Sequence, residues 1–281
     1  MSGALLVVAT PIGNLEDLSP RAARALREAD LVVAEDVRVT RKLVTHLGIR
    51  TRVESVHAHS ASRKIEAVAR RVAAGDRVAL VTDAGTPGVS DPGAALVRAV
   101  ALLGGRVEPI PGPSAVAVAA SVSGLCEGGF RFVGFLPRKG EARRTSLAQI
   151  GASDLATILF ESPNRAAATL ADLATAAGPD RAAVLCRELT KIHEEIVHAP
   201  LAELALRFAG PLRGEVTLVV APSPALAPDA TDLESVVRHA LDSGLSPPRA
   251  AAEAARLTGI PRSEAYAVAL RLRGDTLPPS K

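Results

Sequence analysis

Acids and bases gather at three places in this chain, each directly after an apolar run of strand length. They are Ala34-Glu35-Asp36-Val37-Arg38-Val39-Thr40-Arg41-Lys42, then Phe160-Glu161-Ser162-Pro163-Asn164-Arg165, and then Cys186-Arg187-Glu188-Leu189-Thr190-Lys191-Ile192-His193-Glu194-Glu195. Carboxylates and cations at strand ends can orient a polar substrate and move a proton. The same residues also serve as helix caps and ion pairs, and the sequence leaves both readings open. Three Gly/Pro loops follow strand-like runs as well: Ala9-Thr10-Pro11-Ile12-Gly13-Asn14, Thr82-Asp83-Ala84-Gly85-Thr86-Pro87-Gly88, and Pro111-Gly112-Pro113-Ser114-Ala115. Gly and Pro at such positions bring backbone N–H and C=O groups close to a ligand. In an open parallel sheet the carboxyl ends of neighbouring strands share one crevice, so the three loops are expected to form one wall of a cofactor site.

Several familiar signatures are missing. No GxGxxG follows the first strand, and there is no GxxxxGK[ST] and no GxSxG, so a standard dinucleotide site, a P-loop and a hydrolase elbow find no support. His57 and His59 would share a strand face, and His193 precedes two glutamates, but further ligand spacing is lacking and no metal is expected. Cys126 and Cys186 stand alone, which fits a reduced, cytoplasmic protein.

Regular alternation positions these residues. Strand-like runs at 4–9, 31–34, 78–81 and 106–110 alternate with helical patterns at 19–28, 40–47, 62–74 and 94–103, which predicts an α/β domain with a mostly parallel sheet. A small-residue helix over 115–122 leads into a second, α+β region. There strands are predicted at 130–135, 156–160, 182–187, 194–198 and 216–220, with helices over 143–150 and 165–177. A Pro-rich linker runs from Pro222 to Asp229. Three helices are predicted beyond it, over 232–242, 248–258 and 262–272. The turn Thr258-Gly259-Ile260-Pro261 joining the last two suits a helix-turn-helix or a plain helical hairpin equally.

The 281 residues suffice for a substantial core, and the net charge of +3 permits nucleic acid without requiring it. No apolar run reaches spanning length, and the N-terminus lacks a basic leader region, so neither membrane insertion nor export is expected. With five Phe, one Tyr and no Trp, base-stacking platforms are not expected either.

The ordered set VATPIGNLEDLSPRA, AEDVRVTRKL, VTDAGTPGVSDPG, PIPGPSA, GFLPRKG, ILFESPNR and CRELTKIHEE resembles the ribosomal RNA small subunit methyltransferase I family, a branch of the tetrapyrrole methylase superfamily. The likeness runs through residues 4–221, and the tail from about 232 to 273 is similar to the helix-turn-helix-like domain that closes many members. It implies an α/β, tetrapyrrole-methylase-like (class III methyltransferase) fold of two domains, 1–121 and 122–225, with the cofactor in the cleft between them. A small helical domain over 230–275 would follow. It also implies S-adenosylmethionine as cofactor and 2′-O-methylation of a cytidine ribose in the decoding region of 16S ribosomal RNA. The RNA would be met within a small ribosomal subunit or its precursor, by a homodimer in the cytoplasm. Carried over by motif, the cofactor positions are Pro11, Asp83, Thr86, Ser114 and Ala115, with Glu161, Leu189 and Thr217 as looser matches. Where many superfamily members carry a Gly-rich first loop, this chain has the Thr10-Pro11-Ile12-Gly13-Asn14 form of the RNA branch.

A ribose hydroxyl is a poor nucleophile until its proton leaves, so a base or a pKa-lowering group is expected among Asp36, Glu161, Glu188 and Lys191. Arg38, Arg41, Lys42, Arg138, Lys139, Arg143, Arg144 and Arg165 are the expected phosphate contacts. Two rival functions share parts of this pattern: a methylase of tetrapyrrole precursors, and a non-catalytic RNA-binding assembly factor.

Overall fold

A computed structural model of the chain describes residues 3–56, 62–91, 93–224 and 230–273. His57 and His59, Pro92, and the stretch from 225 to 229 lie outside these residues.

The first half alternates as its sequence predicts, with one addition: a three-residue strand over Val53–Ser55, too short to stand out as an apolar run. In chain order it comprises β1 (Ala4–Val8), α1 (Pro20–Glu28), β2 (Leu31–Ala34), α2 (Val37–His46), β3 (Val53–Ser55), α3 (Ser62–Ala73), β4 (Arg77–Leu80), α4 (Ala94–Leu102) and β5 (Arg106–Ile110). The strands form one parallel sheet in the order β3-β2-β4-β1-β5. Side chains of a strand alternate between faces. Leu6, Val8 and Val32 therefore pack with α1 and α2, while Leu5, Val33 and Leu80 pack with α3 and α4 on the opposite face. Because both faces are covered, these strands are apolar almost throughout. α2 starts at Val37, three residues ahead of the predicted start, because the Asp36 carboxylate accepts from the Arg38 backbone N–H and caps the helix.

The second half comprises α5 (Ala115–Ser123), β6 (Phe130–Phe135), α6 (Gly140–Gly151), β7 (Ala156–Glu161), α7 (Pro163–Ala177), β8 (Ala182–Arg187), β9 (Glu195–Pro200), α8 (Leu201–Arg207) and β10 (Val216–Val220). Its sheet runs β6-β7-β10-β8-β9, with β6 parallel to β7 and the other pairs antiparallel. α8 escaped the sequence reading because it is a seven-residue helix anchored only by Leu201 and Leu204. Helices α6, α7 and α8 cover one sheet face. Val116 and Ala119 of α5, together with Ile12 from the loop after β1, cover the other. α5 thus fastens the second sheet to the first, and residues up to Pro222 form a single compact unit.

The C-terminal unit contains α9 (Ala230–Asp242), α10 (Pro247–Thr258) and α11 (Arg262–Arg273). Its core joins Leu233 and Val237 to Ala251, Ala254, Ala265 and Ala269, small residues that let the helices approach closely. Gly259, at φ 74°, ends α10 in the left-handed conformation that makes the sharp turn into α11. Among the described residues no helix is long and apolar enough to cross a membrane.

Candidate active site

The three Gly/Pro loops lie side by side and are hydrogen-bonded to one another. Thr10 and Gly85 exchange backbone N–H···O=C bonds of 2.8 and 3.1 Å, so the loops after β1 and β4 form an isolated antiparallel bridge. The Thr86 hydroxyl donates to the Pro113 carbonyl at 3.0 Å and ties in the loop after β5. Gly85 sits at φ 82°, a left-handed conformation in which a side chain would be strained even though its Cβ would meet Ile12 only at ordinary contact distance. The wall is mostly backbone, held by backbone.

This wall faces a cavity of about 400 Å³. Asp83, Thr86, Ser114 and Ala115 line it from the first half; Glu161 and Thr217 close it from the second. Ile12, Phe135 and Phe160 supply apolar surface. Its charge is one-sided: Glu35, Asp83, Asp91, Glu161 and Glu215 border it, and no Lys, Arg or His does among the described residues. Burial, then the charges of Asp83, Asp91 and Asp36, push the Glu35 carboxyl above its ordinary range. Asp91 is pushed up as well, first by burial and also by Asp83. Such crowding stores electrostatic cost that a cationic ligand would relieve.

A second cavity, about 270 Å³, adjoins the first and shares Ile12, Asp83, Ala84 and Glu215 with it. Pro11, Leu15, Val39 and Leu43 give it apolar walls, and Lys42 and Lys191 bring positive charge. Lys191 is held at 2.7 Å from Glu188 and 3.0 Å from Glu215. Burial opposes its charge, but the hydrogen bonds to Glu188 and Glu215 outweigh burial and raise its pKa, so it remains an ammonium. Glu188 is held below its ordinary range, first by the Lys191 hydrogen bond and then by the Glu215 N–H. Glu188 and Thr190 occupy the left-handed region at φ 52° and 66°, a strain characteristic of functional loops. This loop meets the first half at Gly13, where an added Cβ would lie 2.9 Å from the Leu189 carbonyl oxygen. The Asn14 N–H donates to the Thr190 hydroxyl there at 3.1 Å.

Glu161 belongs to a different construction. Its side chain is fully buried, accepts from the Ser162 N–H at 2.7 Å and the Thr169 hydroxyl at 2.6 Å, and pairs with Arg165 at 3.3 Å. Arg165 also donates to the Leu136 carbonyl. Arg143 reaches Asp172 at 2.7 Å, the Thr169 hydroxyl and the Pro137 carbonyl. This network fixes the β6–α6 loop against the cavity wall.

The residues expected from the sequence therefore divide. Asp83, Thr86, Ser114, Ala115, Glu161 and Thr217 meet at the first cavity, and Pro11 lines the second. Leu189 lies in the apolar core behind both. Lys191 faces the second cavity with Glu188 behind it. Asp36 lines neither: it caps α2, donates its N–H to Asp83 at 3.0 Å, and is pulled down to about 2 by the Arg38 side chain. Of the cationic candidates, Arg41, Lys42, Arg138 and Lys139 are exposed and form no ion pair with a described residue. Arg38 and Arg144 are exposed beside Asp36 and Glu141. Arg143 and Arg165 point inward, their guanidiniums engaged by the network around Glu161. Glu35, Asp91, Phe135, Phe160 and Glu215 also border the first cavity. Glu35 and Asp91 lie inside motifs already suspect, so their signal was present; Glu215 follows Gly214 with no motif to mark it.

Residues 4–205 match the family of Tetrapyrrole (Corrin/Porphyrin) Methylases, and residues 227–273 match the RsmI C-terminal HTH domain. The Ribosomal RNA small subunit methyltransferase I of Xylella fastidiosa (strain Temecula1) is 45% identical over 269 residues, covering 94% of this chain and 98% of that protein. Its counterpart of the same name from Mycobacterium tuberculosis (strain CDC 1551) is 42% identical over 100% of this chain and 99% of that one. The chain belongs to the small subunit methyltransferase I family. The methylase fold of the family also appears in the uroporphyrin-III C-methyl transferase of Thermus thermophilus, solved with S-adenyl homocysteine. That structure superposes with a TM-score of 0.56 at 22% identity, over 78% of this chain and 97% of that one. The acidic cavity and the Lys191 cluster are neighbours, joined by Asp83 and Glu215, which border both cavities.

Proposed function

We propose that this chain transfers a methyl group from S-adenosylmethionine to the 2′-hydroxyl of a cytidine ribose in the decoding region of 16S ribosomal RNA. It would act in the cytoplasm, as a homodimer, on the small ribosomal subunit or its precursor. Residues 1–121 and 122–225 would serve as the two methylase domains and 230–275 as a helical docking domain.

The observation that carries the cofactor reading is the acidic cavity on the three-loop wall. S-adenosylmethionine carries a sulfonium and an ammonium against one carboxylate, a net positive charge; Glu35, Asp83 and Asp91 supply the opposite charge, and Ile12, Ala115 and Phe160 supply apolar surface for a purine. The Thermus methylase with its bound S-adenyl homocysteine supports the choice, and the relatives' names support ribosomal RNA as the acceptor.

When bound, S-adenosylmethionine supplies an already activated methyl group, so the protein has to align the acceptor and assist loss of its proton. Lys191, kept protonated, would lower the cost of a developing alkoxide, with Glu188 positioning it and solvent water taking the hydroxyl proton as the methyl leaves sulfur for oxygen. Asp36 steadies Asp83 through its N–H, and Glu161 stiffens the far wall. Exposed Arg41, Lys42, Arg138 and Lys139, with Arg38 and Arg144, draw in the phosphate backbone.

The test is to incubate the purified protein with methyl-labelled S-adenosylmethionine and small ribosomal subunits from cells lacking this gene. Label entering 16S ribosomal RNA is the expected result. Cofactor binding without transfer to RNA would contradict the acceptor assignment, and no cofactor binding at all would leave a non-catalytic RNA-binding role.

A further inference from the structure

Charge separates two neighbouring chambers that share a wall. The 400 Å³ chamber is bordered by five carboxylates and no cation among the described residues, which suits a cationic ligand. The 270 Å³ chamber shares Asp83 and Glu215 but adds Lys42 and Lys191, cations that the larger one lacks and that can meet an anionic group. An in-line transfer needs the two reacting atoms in near contact, so the acceptor has to lie next to the donor. The smaller chamber adjoins the larger one: Ile12, Asp83, Ala84 and Glu215 border both.

We propose that the smaller chamber is the acceptor pocket, taking one unpaired nucleotide of the RNA with Lys42 on a flanking phosphate and Lys191 beside the ribose. This rests on the reading of the protein as an RNA methyltransferase. The two lysines suit different tasks. Lys42 is exposed on α2 and forms no ion pair with a described residue, so its charge is available to a phosphate. Lys191 is tied to Glu188 and Glu215 and braced against Gly13, so it holds a fixed position, as a group acting on a reacting hydroxyl must. The walls Pro11, Leu15, Val39 and Leu43 are apolar and include no aromatic ring, so a nucleoside would rest on aliphatic surface there rather than stack. Thr40, in the same wall, holds a buried hydroxyl with no hydrogen-bond partner among the described residues. A volume of about 270 Å³ suits a single nucleotide, so the acceptor would be unpaired or drawn out of its helix, at an energetic cost that is least where pairing is already weak.

Two substitutions in the full-length protein test this, with S-adenosylmethionine binding by calorimetry and methyl transfer to small ribosomal subunits as paired readouts. Lys42→Ala, at an exposed site, is expected to leave cofactor affinity within twofold and to raise the KM for the RNA by about tenfold, the loss of one charge-assisted contact. It should also reduce the salt slope of RNA binding by about 0.7, the value for one single-strand phosphate. Val39→Trp fills the chamber and is expected to abolish transfer while cofactor binding persists. A wild-type RNA KM and salt slope for Lys42→Ala would overturn the proposal. So would loss of cofactor affinity in a folded Val39→Trp, because the chamber would then belong to the cofactor. Failure of the wild-type protein to methylate RNA would instead sink the functional reading on which the proposal stands.

Discussion

The two sides of the cleft are built by different means. On the first-half side, strand-end loops make the wall from backbone, and their main contacts join neighbouring loops: Thr10 with Gly85, and Thr86 with Pro113. On the second-half side the wall depends on charged side chains: Glu161 with Arg165 and Thr169, Arg143 with Asp172, and Lys191 between Glu188 and Glu215. A backbone wall takes its shape from dihedral angles more than from side chains. A charged wall tolerates backbone adjustment but not loss of a partner. Substitutions on the two sides should therefore fail in different ways.

The largest effect is expected at the buried pair. Arg165→Ala leaves the fully buried Glu161 carboxylate without its cation, and removing one member of such a pair costs about 3 kcal/mol. Thermal or denaturant unfolding should show that loss, whereas Arg138→Ala, exposed and unpaired among the described residues, should stay within about 0.5 kcal/mol of wild type. Equal effects for the two variants would erase the distinction between inward and outward arginines.

Next comes the backbone wall. Gly85→Val forces a branched side chain into φ 82°, at a strain of about 1–3 kcal/mol. Strain concentrated at the loop bridge should weaken S-adenosylmethionine binding by about tenfold while the second-half network stays intact. Calorimetry gives the affinity, and near-normal binding would mean that the loop conformation is not what shapes the site.

The pH dependence is smaller and has a definite sign. Glu35 and Asp91 titrate above their ordinary ranges, so the folded apo-protein favours their protonated forms. The stability they contribute is present at low pH and is lost as pH rises through the raised values. A cationic ligand reverses this, so cofactor affinity should increase with pH over the same interval, and Glu35→Gln should flatten the profile. Affinity that falls with rising pH would contradict the electrostatic role of the cavity. The smallest effect belongs to Thr86→Val, which removes the bond to the Pro113 carbonyl and should cost about 1 kcal/mol in unfolding experiments.

The same contrast explains what the sequence could disclose. The loop wall was legible because its signals are local: an apolar run, then Gly and Pro, repeated three times at strand ends. The first-half elements other than the three-residue β3 followed from alternation, although α2 begins earlier than its apolar pattern because Asp36 caps it. The charged wall was only partly legible. Arg143 resembled an outward phosphate contact because its partner, Asp172, lies 29 residues away on α7, and only folding brings the two together. Glu215 carries no motif, yet it borders both cavities and holds Lys191. Asp36 read as a candidate base because type and position do not reveal that Arg38 already engages it.

Mapping ribose methylation of 16S ribosomal RNA from cells with and without the gene tests the central assignment most directly. A methyl on the 2′-oxygen removes the nucleophile that alkali uses to cleave the chain, so each modified ribose stands out as a gap in the hydrolysis ladder. The account predicts a gap at one cytidine of the decoding region that disappears without the gene and returns when purified protein and S-adenosylmethionine are added to the small subunits. Identical ladders from the two sources would contradict it.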